Sequence, residues 1–172
     1  YRIRHLLIDE FQDTSFGQYE LLLRLTAGWQ PHDGRTLFAV GDPMQSIYRF
    51  REAEVGLFLR VRERGIGDVQ PEPLTLSVNF RSQAQLVQWV NTVFAQVLPA
   101  REDIASGAVT HSPSVAQEQG LPGTAVCVHP LLGAQPPEEA AAVVELVRRA
   151  QAEDPGGTVA LLVRNRAHLY QI

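Results

Sequence analysis

The chain has 172 residues, 45% of them hydrophobic, and a formal net charge of −4. A chain of this size buries roughly 70% of its extended surface, so it can build a real core as one domain or two small halves. The acidic balance leaves any nucleic-acid binding to a local patch, and no apolar stretch approaches the ~20 residues of a membrane helix. In chain order, His5 to Asp9 reads as a buried strand. Ser15 and Gln18 have the spacing of a capping box for a helix carrying Tyr19, Leu22 and Leu23. Thr36 to Gly41 reads as a second strand and Val55 to Arg64 as a helix, and Gly65 to Pro73, with its glycines and prolines, reads as a linker. A strand around Leu74-Thr75-Leu76-Ser77 then leads into a helix capped by Ser82 and Gln85, with Leu86, Val90, Val93, Phe94 and Val97 on one face. Pro99 to Gly123 reads as a surface loop. After it come a strand over Thr124 to His129, a helix from Glu138 to Arg149 whose charges suit the helix dipole, and a buried strand over Thr158 to Val163. Apolar runs alternating with amphipathic stretches indicate an α/β fold.

All 15 basic residues are arginines, and there is no lysine. The single Cys127 excludes an internal disulfide and, set in Ala125-Val126-Cys127-Val128, is expected as a buried structural thiol. The scattered histidines and lone cysteine give no zinc set. Tyr1-Arg2-Ile3-Arg4 lacks the apolar core of a signal peptide. The chain begins at Tyr1 rather than at a methionine and runs almost directly into a strand, so an excerpt of a longer protein is expected.

Three stretches carry chemistry. In Leu6-Leu7-Ile8-Asp9-Glu10-Phe11-Gln12-Asp13 a strand ends in adjacent acids, which puts two carboxylates at the carboxyl edge of a sheet, where α/β folds bind ligands. In a nucleotide hydrolase the first such acid holds Mg²⁺ and the second orients and deprotonates the attacking water. A strand running into an acidic loop would look the same. In Leu37 to Arg51 a strand ends in Gly41-Asp42, and Tyr48-Arg49-Phe50-Arg51 then interleaves aromatics with guanidinium groups. Aromatics stack on unpaired bases and arginines answer phosphates. From Tyr48 to Arg64 there are five arginines against three glutamates in an otherwise acidic chain, though solvated arginines at a helix start give the same pattern. In Leu74 to Ser82 a strand delivers Phe80 and Arg81 just before a helix, which alone is also a capping junction.

In this order, Asp9-Glu10-Phe11-Gln12-Asp13-Thr14-Ser15, Gly41-Asp42-Pro43-Met44-Gln45-Ser46-Ile47-Tyr48-Arg49-Phe50-Arg51 and Asn79-Phe80-Arg81-Ser82 resemble motifs II, III and IV of superfamily 1A DNA helicases, the UvrD/Rep and RecB/AddA group. Phe50, where UvrD and PcrA proteins carry Trp, leans toward the RecB/AddA branch of helicase–exonuclease subunits, and Val159 to Arg166 resembles a strand of the family's second motor domain. The resemblance implies a partial RecA-like P-loop motor, with residues 1–70 ending the first motor domain and residues 71–172 starting the second. It further implies a cytoplasmic 3′-to-5′ helicase of DNA repair or recombination, working with ATP and Mg²⁺ on single-stranded and duplex DNA, away from membranes, and able to meet a second helicase–nuclease subunit. By the same resemblance Asp9 coordinates Mg²⁺ and Glu10 is the base. Gln45 contacts the γ-phosphate, Phe80 stacks on adenine and Arg81 is an arginine finger. Tyr48, Phe50 and Arg51 touch single-stranded DNA. Gln12 and Asp13 match motif II without an assigned role, and Glu52 stands where the family carries glycine.

The family's Gly-x-x-x-x-Gly-Lys-[Ser/Thr] phosphate loop, whose backbone and lysine cradle phosphates, is absent from these 172 residues, as are motifs V and VI. The alternative is a DNA-binding module derived from a helicase, without ATPase activity. A full set of Asp9, Glu10, Gln45 and Arg81 argues for a motor, since a binding module has no chemical need of them.

Overall fold

The computed structural model describes residues 3–47, 54–133 and 135–171. They form two units, Tyr1–Val126 and Cys127–Ile172. In the first, β1 (His5–Ile8) and β2 (Thr36–Ala39) pair in parallel with His5 opposite Thr36 and Ile8 opposite Ala39. Helix α1 (Phe16–Leu25) makes the connection. Its start is as expected: Ser15 Oγ accepts from Gln18 N at 3.4 Å, and Gln18 Oε1 accepts from Ser15 N at 2.9 Å, so two orphan amides at the helix end are satisfied. Between α1 and β2 the carboxylate of Asp33, held by the Arg35 side chain and by the Gln30 amide, is kept well below the usual carboxylate range.

Side-chain alternation decides which face of this sheet is covered. Leu6, Ile8, Leu37 and Ala39 pack against a core of Phe11, Tyr19, Leu22, Leu57, Val61 and Ile66. Leu7 and Phe38 share the opposite face and are exposed. The strands expected as buried are therefore buried on one side only. Sequence hydrophobicity reports the two faces a parallel sheet presents, and helices α1 and α2 (Val55–Arg64) contribute to the core on one of them. Phe11, 2% exposed, meets Phe58 of α2 at a centroid distance of 6.1 Å. Burial of that kind contributes about 1.5–3 kcal/mol per large side chain. Helix α2 ends at Arg64 as expected, but the segment read as a linker opens by tucking Ile66 into the core, fully buried and bridged to Val69.

The next strand lies later than the sequence indicated. Residues 74–77 are not in a strand, and β3 is Val78–Gln83. The apolar run misled because Leu74 and Leu76 are exposed, whereas pairing belongs to the residues that find a partner. That partner is β4 (Val115–Glu118), parallel to β3, inside the stretch read as a loop. Helix α3 (Ala84–Val97) links the two, with Val87 buried and Leu86, Val90 and Val93 half-buried. Its cap is Gln83, whose Oε1 accepts from Gln85 N at 3.0 Å, and not Ser82, which belongs to β3. Asn91 clasps β4's approach, donating to Ser114 O at 2.8 Å and accepting from Ser114 N at 3.0 Å. Elsewhere the backbone of Ile104 sits so close to Gly56 that a Cβ there would be 2.4 Å from Ile104 O.

In the second unit, α4 (Pro136–Glu153) is longer than expected at both ends, with the Glu138 carboxylate accepting from Gln135 N at 2.9 Å. The strands expected over Thr124 to His129 and Thr158 to Val163 do not form, and Cys127 is exposed rather than buried. An apolar run becomes a strand only where a neighbouring chain takes up its amides and carbonyls, and among the described residues neither segment has one. No helix among the described residues is long and apolar enough to cross a membrane.

Candidate functional site

Chain geometry at the end of β1 places the acids. Glu10 adopts a left-handed backbone, φ 51° and ψ 42°, one of two non-glycine residues with positive φ among those described. Such a conformation costs on the order of 1–3 kcal/mol and is held by its surroundings. Here Glu10 N donates to Asp9 Oδ1 at 2.9 Å, Phe11 N donates to Val40 O at 2.9 Å, and a single 3-10 turn over Phe11–Asp13 follows. The reversal leaves Asp9 and Glu10 exposed at the carboxyl edge of the sheet while Phe11 and Gln12 plunge inward. Beside Asp9, Glu10 and Asp13, and bounded by Gln18, Leu21 and Leu22 on α1, lies a depression of about 400 Å³.

The end of β2 meets this turn directly. Val40 N donates to Ile8 O at 2.8 Å, and Gly41 and Asp42 then pass over Gln12, whose Oε1 accepts from Asp42 N at 3.0 Å. The Gln12 amide nitrogen donates to Glu10 Oε2 at 2.6 Å. Asp42 caps a second 3-10 turn, Pro43–Gln45, by accepting from Met44 N at 2.9 Å, and its other oxygen accepts from Gln45 Nε2 at 2.8 Å. Ser46 Oγ donates to Asp13 Oδ1 at 3.0 Å. Glu10, Asp13, Asp42, Gln45 and Ser46 thus form one connected polar network around a buried amide, with Asp9 held at its edge by Glu10 N.

Gly41 is required by the closeness of these two turns. A Cβ at that position would lie 2.5 Å from Gln12 Oε1 and 3.1 Å from the backbone nitrogens of Phe11 and Gln12. Gly41→Ala is expected to destabilise the protein by about 1–3 kcal/mol, the usual range for overpacking a tight contact, as read by denaturant unfolding. An unchanged midpoint would show that the turn has room to spare.

Phe80 and Arg81 lie on β3, both exposed, with Phe80 at 72%. Asn79 Oδ1 accepts from Arg81 N at 3.0 Å and from Ser82 N at 2.9 Å, at the irregular pairing between Asn79 and Gln83. This local bond fixes the backbone from which Arg81 projects. Among the described residues, no hydrogen bond or ion pair joins Phe80 or Arg81 to the Glu10–Asp42 network. The expected DNA contacts Tyr48, Phe50 and Arg51 lie outside the described residues. Sequence reading left Gln12 without a role and did not see Asn79 as a brace. The available signals were an amide inside an acidic motif, with a glycine at the end of the neighbouring strand, and an asparagine two residues before an arginine.

The donor set near Asp9 is hard oxygen, which suits Mg²⁺, a cation bound through one or two carboxylates with water and phosphate oxygens completing its shell. Among the described residues no three potential ligands cluster into an all-protein cage, which is the other way to hold a metal.

Two small parallel sheets flanked by helices, with paired acids at the carboxyl edge of the first, make this an α/β protein, an arrangement consistent with part of a RecA-like helicase domain. Residues 1–65 match the family described as UvrD/REP helicase N-terminal domain. The chain is 36% identical over 134 residues to the A subunit of the ATP-dependent helicase/nuclease of Lysinibacillus sphaericus, covering 75% of this chain and 11% of that protein. It is 42% identical over 108 residues to its counterpart in Pelotomaculum thermopropionicum, covering 60% of the chain and 8% of the relative. For the Staphylococcus aureus counterpart the identity is 35% over 121 residues, 69% of the chain and 9% of the relative. The chain is thus similar to UvrD-type helicases over residues 1–65 and to the helicase/nuclease A subunits over most of its own length, and it spans about a tenth of the length of these relatives.

Proposed function

We propose that this chain is part of an ATP-dependent DNA motor of repair or recombination, moving 3′-to-5′ on single-stranded DNA within a helicase–nuclease that includes a second subunit. The observation that carries the proposal is the network joining Glu10, Gln12, Asp42 and Gln45. A solvated acidic loop has no reason to bury an amide between a carboxylate and a neighbouring strand's turn. A hydrolytic site does, because most of phosphoryl-transfer catalysis is positioning.

In this reading Asp9 holds Mg²⁺, which when bound neutralises charge on the phosphate oxygens. Glu10 accepts the proton of the attacking water. Gln45, braced by Asp42, presents its amide toward the γ-phosphate. Phe80 offers an exposed ring for the adenine, and Arg81 supplies positive charge to the transferring phosphoryl group. Tyr48, Phe50 and Arg51, a few residues beyond Gln45, take the bases and phosphates of single-stranded DNA.

The phosphate-cradling loop must come from outside these 172 residues, which contain no lysine and no Gly-x-x-x-x-Gly-Lys-[Ser/Thr] sequence. The intact protein is therefore expected to hydrolyse ATP in the presence of single-stranded DNA, and the 172-residue chain alone to show no turnover above background. Turnover by the repurified fragment would overthrow this division of labour. DNA binding by an intact protein that never hydrolyses ATP would favour a binding module instead.

A further inference from the structure

We propose that Gln12 is a positioning residue: it sets the carboxylate of Glu10 and couples that placement to the Gly41-Asp42 turn that braces Gln45. The proposal rests on the reading of Glu10 as the base and adds to it a residue with no assigned part in the chemistry.

Gln12 is 1% exposed, yet one of its partners is the exposed Glu10. Its amide can satisfy both neighbours in only one orientation, because a carboxylate needs a donor and a backbone N–H needs an acceptor. Nε2 faces Glu10 Oε2 at 2.6 Å and, more distantly, Asp13 Oδ2 at 3.5 Å, and Oε1 faces Asp42 N at 3.0 Å. A turned amide would set oxygen against oxygen on one side and N–H against N–H on the other. The side chain is thus a fixed spacer between β1's acid and β2's turn. Gly41 makes the spacing possible, since any Cβ there would meet Gln12 Oε1 at 2.5 Å.

Glu10 is a three-torsion side chain at the surface, and left to itself it would spread over many rotamers. Gln12 is already immobilised by burial, so holding Glu10 adds little further loss of freedom. From Asp42 the same unit continues through Oδ2 to Gln45 Nε2 at 2.8 Å. The proposed base and the glutamine proposed to face the γ-phosphate are therefore held by one rigid piece. The donor of this buried amide goes to carboxylates, chiefly that of the exposed Glu10.

Two substitutions in the intact protein separate the bonds. Gln12→Met keeps length and bulk and loses both, and Gln12→Glu keeps an acceptor for Asp42 N but replaces the amide donor facing Glu10 with a second carboxyl. Both are expected to lower kcat by about 10–100-fold, the range seen when an outer hydrogen-bond partner of a site is removed, with KM and nucleotide affinity near wild type. In the nucleotide-free protein, amide exchange across residues 41–47 should quicken about tenfold in Gln12→Met, the equivalent of one net hydrogen bond. In Gln12→Glu it should stay near wild type. Should one variant fail to fold, the kcat-against-KM split of the other still decides.

Unchanged kcat in both variants, with Glu10→Gln inactive, overturns the coupling and leaves the base reading standing. Loss of nucleotide binding in step with kcat marks a merely structural role and also overturns it. If Glu10→Gln itself retains turnover, the base reading fails on its own. Exchange then still judges the spacer: quickening in Gln12→Met upholds its tie to the Asp42 turn, and unchanged exchange overturns it.

Discussion

Glu10→Gln in the intact protein should bind ATP as the wild type does and lose about 10²–10⁴-fold in DNA-stimulated turnover, the contribution of a positioned general base. The substitution is nearly isosteric and leaves Asp9 in place to hold Mg²⁺. It also leaves Gln12 Nε2 an oxygen to face, so the polar network around Asp42 should survive. The chemistry is changed and the architecture is not. Left-handed backbone at Glu10 sharpens the point, since the surroundings hold a conformation that L residues avoid and direct the side chain from the edge of the sheet. Turnover is measured at saturating ATP and single-stranded DNA, with binding followed separately by a fluorescent ATP analogue. A fall of less than about tenfold, below the range for such a base, would mean that another acid takes the proton, and Asp13, hydrogen-bonded to Ser46, is the next in reach.

Local elements were the most legible part of this chain. Helices α1 and α2 follow from apolar spacing, and the Ser15–Gln18 box fixes where the first begins. The acids at the end of β1 lie where the apolar run before them indicated, just past the strand's carboxyl end. Strand identity was less legible, because a strand is a property of a pair. β3 is Val78–Gln83 rather than Leu74 to Ser77 because the residues facing β4 set it, and β4 lies more than thirty residues further on in a stretch of polar, loop-like composition. The apolar runs around Cys127 and Leu161 show the converse, where hydrophobicity without a ladder yields no strand.

The site divides along the same line. Asp9, Glu10 and Gln45 could be named as candidates from their resemblance to the family's motifs II and III. Gln12 could not be given a part, because nothing in its local sequence shows which groups its amide meets. It is buried because Phe11 N and Val40 O draw the ends of β1 and β2 together over it, a contact between residues 29 positions apart. Long-range closeness of this kind leaves only indirect traces, of which Gly41 is the clearest.

Arg81→Ala carries the largest expected effect, about 10³–10⁵-fold on ATP turnover by the intact protein, the range an arginine finger supplies to phosphoryl transfer. Its backbone is braced by Asn79 Oδ1, which accepts from both Arg81 N and Ser82 N, so the guanidinium projects from a fixed point on β3. Phe80 beside it is exposed. In the proposed motor Arg81 reaches the nucleotide only when the site closes, so hydrolysis and movement on DNA depend on the same closure. Unwinding should therefore fall together with turnover, while single-stranded DNA binding without nucleotide stays near wild type. Phe50→Ala gives the contrasting result, weakening single-stranded DNA binding by about 1–3 kcal/mol through lost stacking. The decisive comparison is nucleotide-free DNA affinity in the two variants. If Arg81→Ala abolishes it and spares ATP turnover, Arg81 is a phosphate contact on the DNA side, and the nucleotide must draw its positive charge from elsewhere.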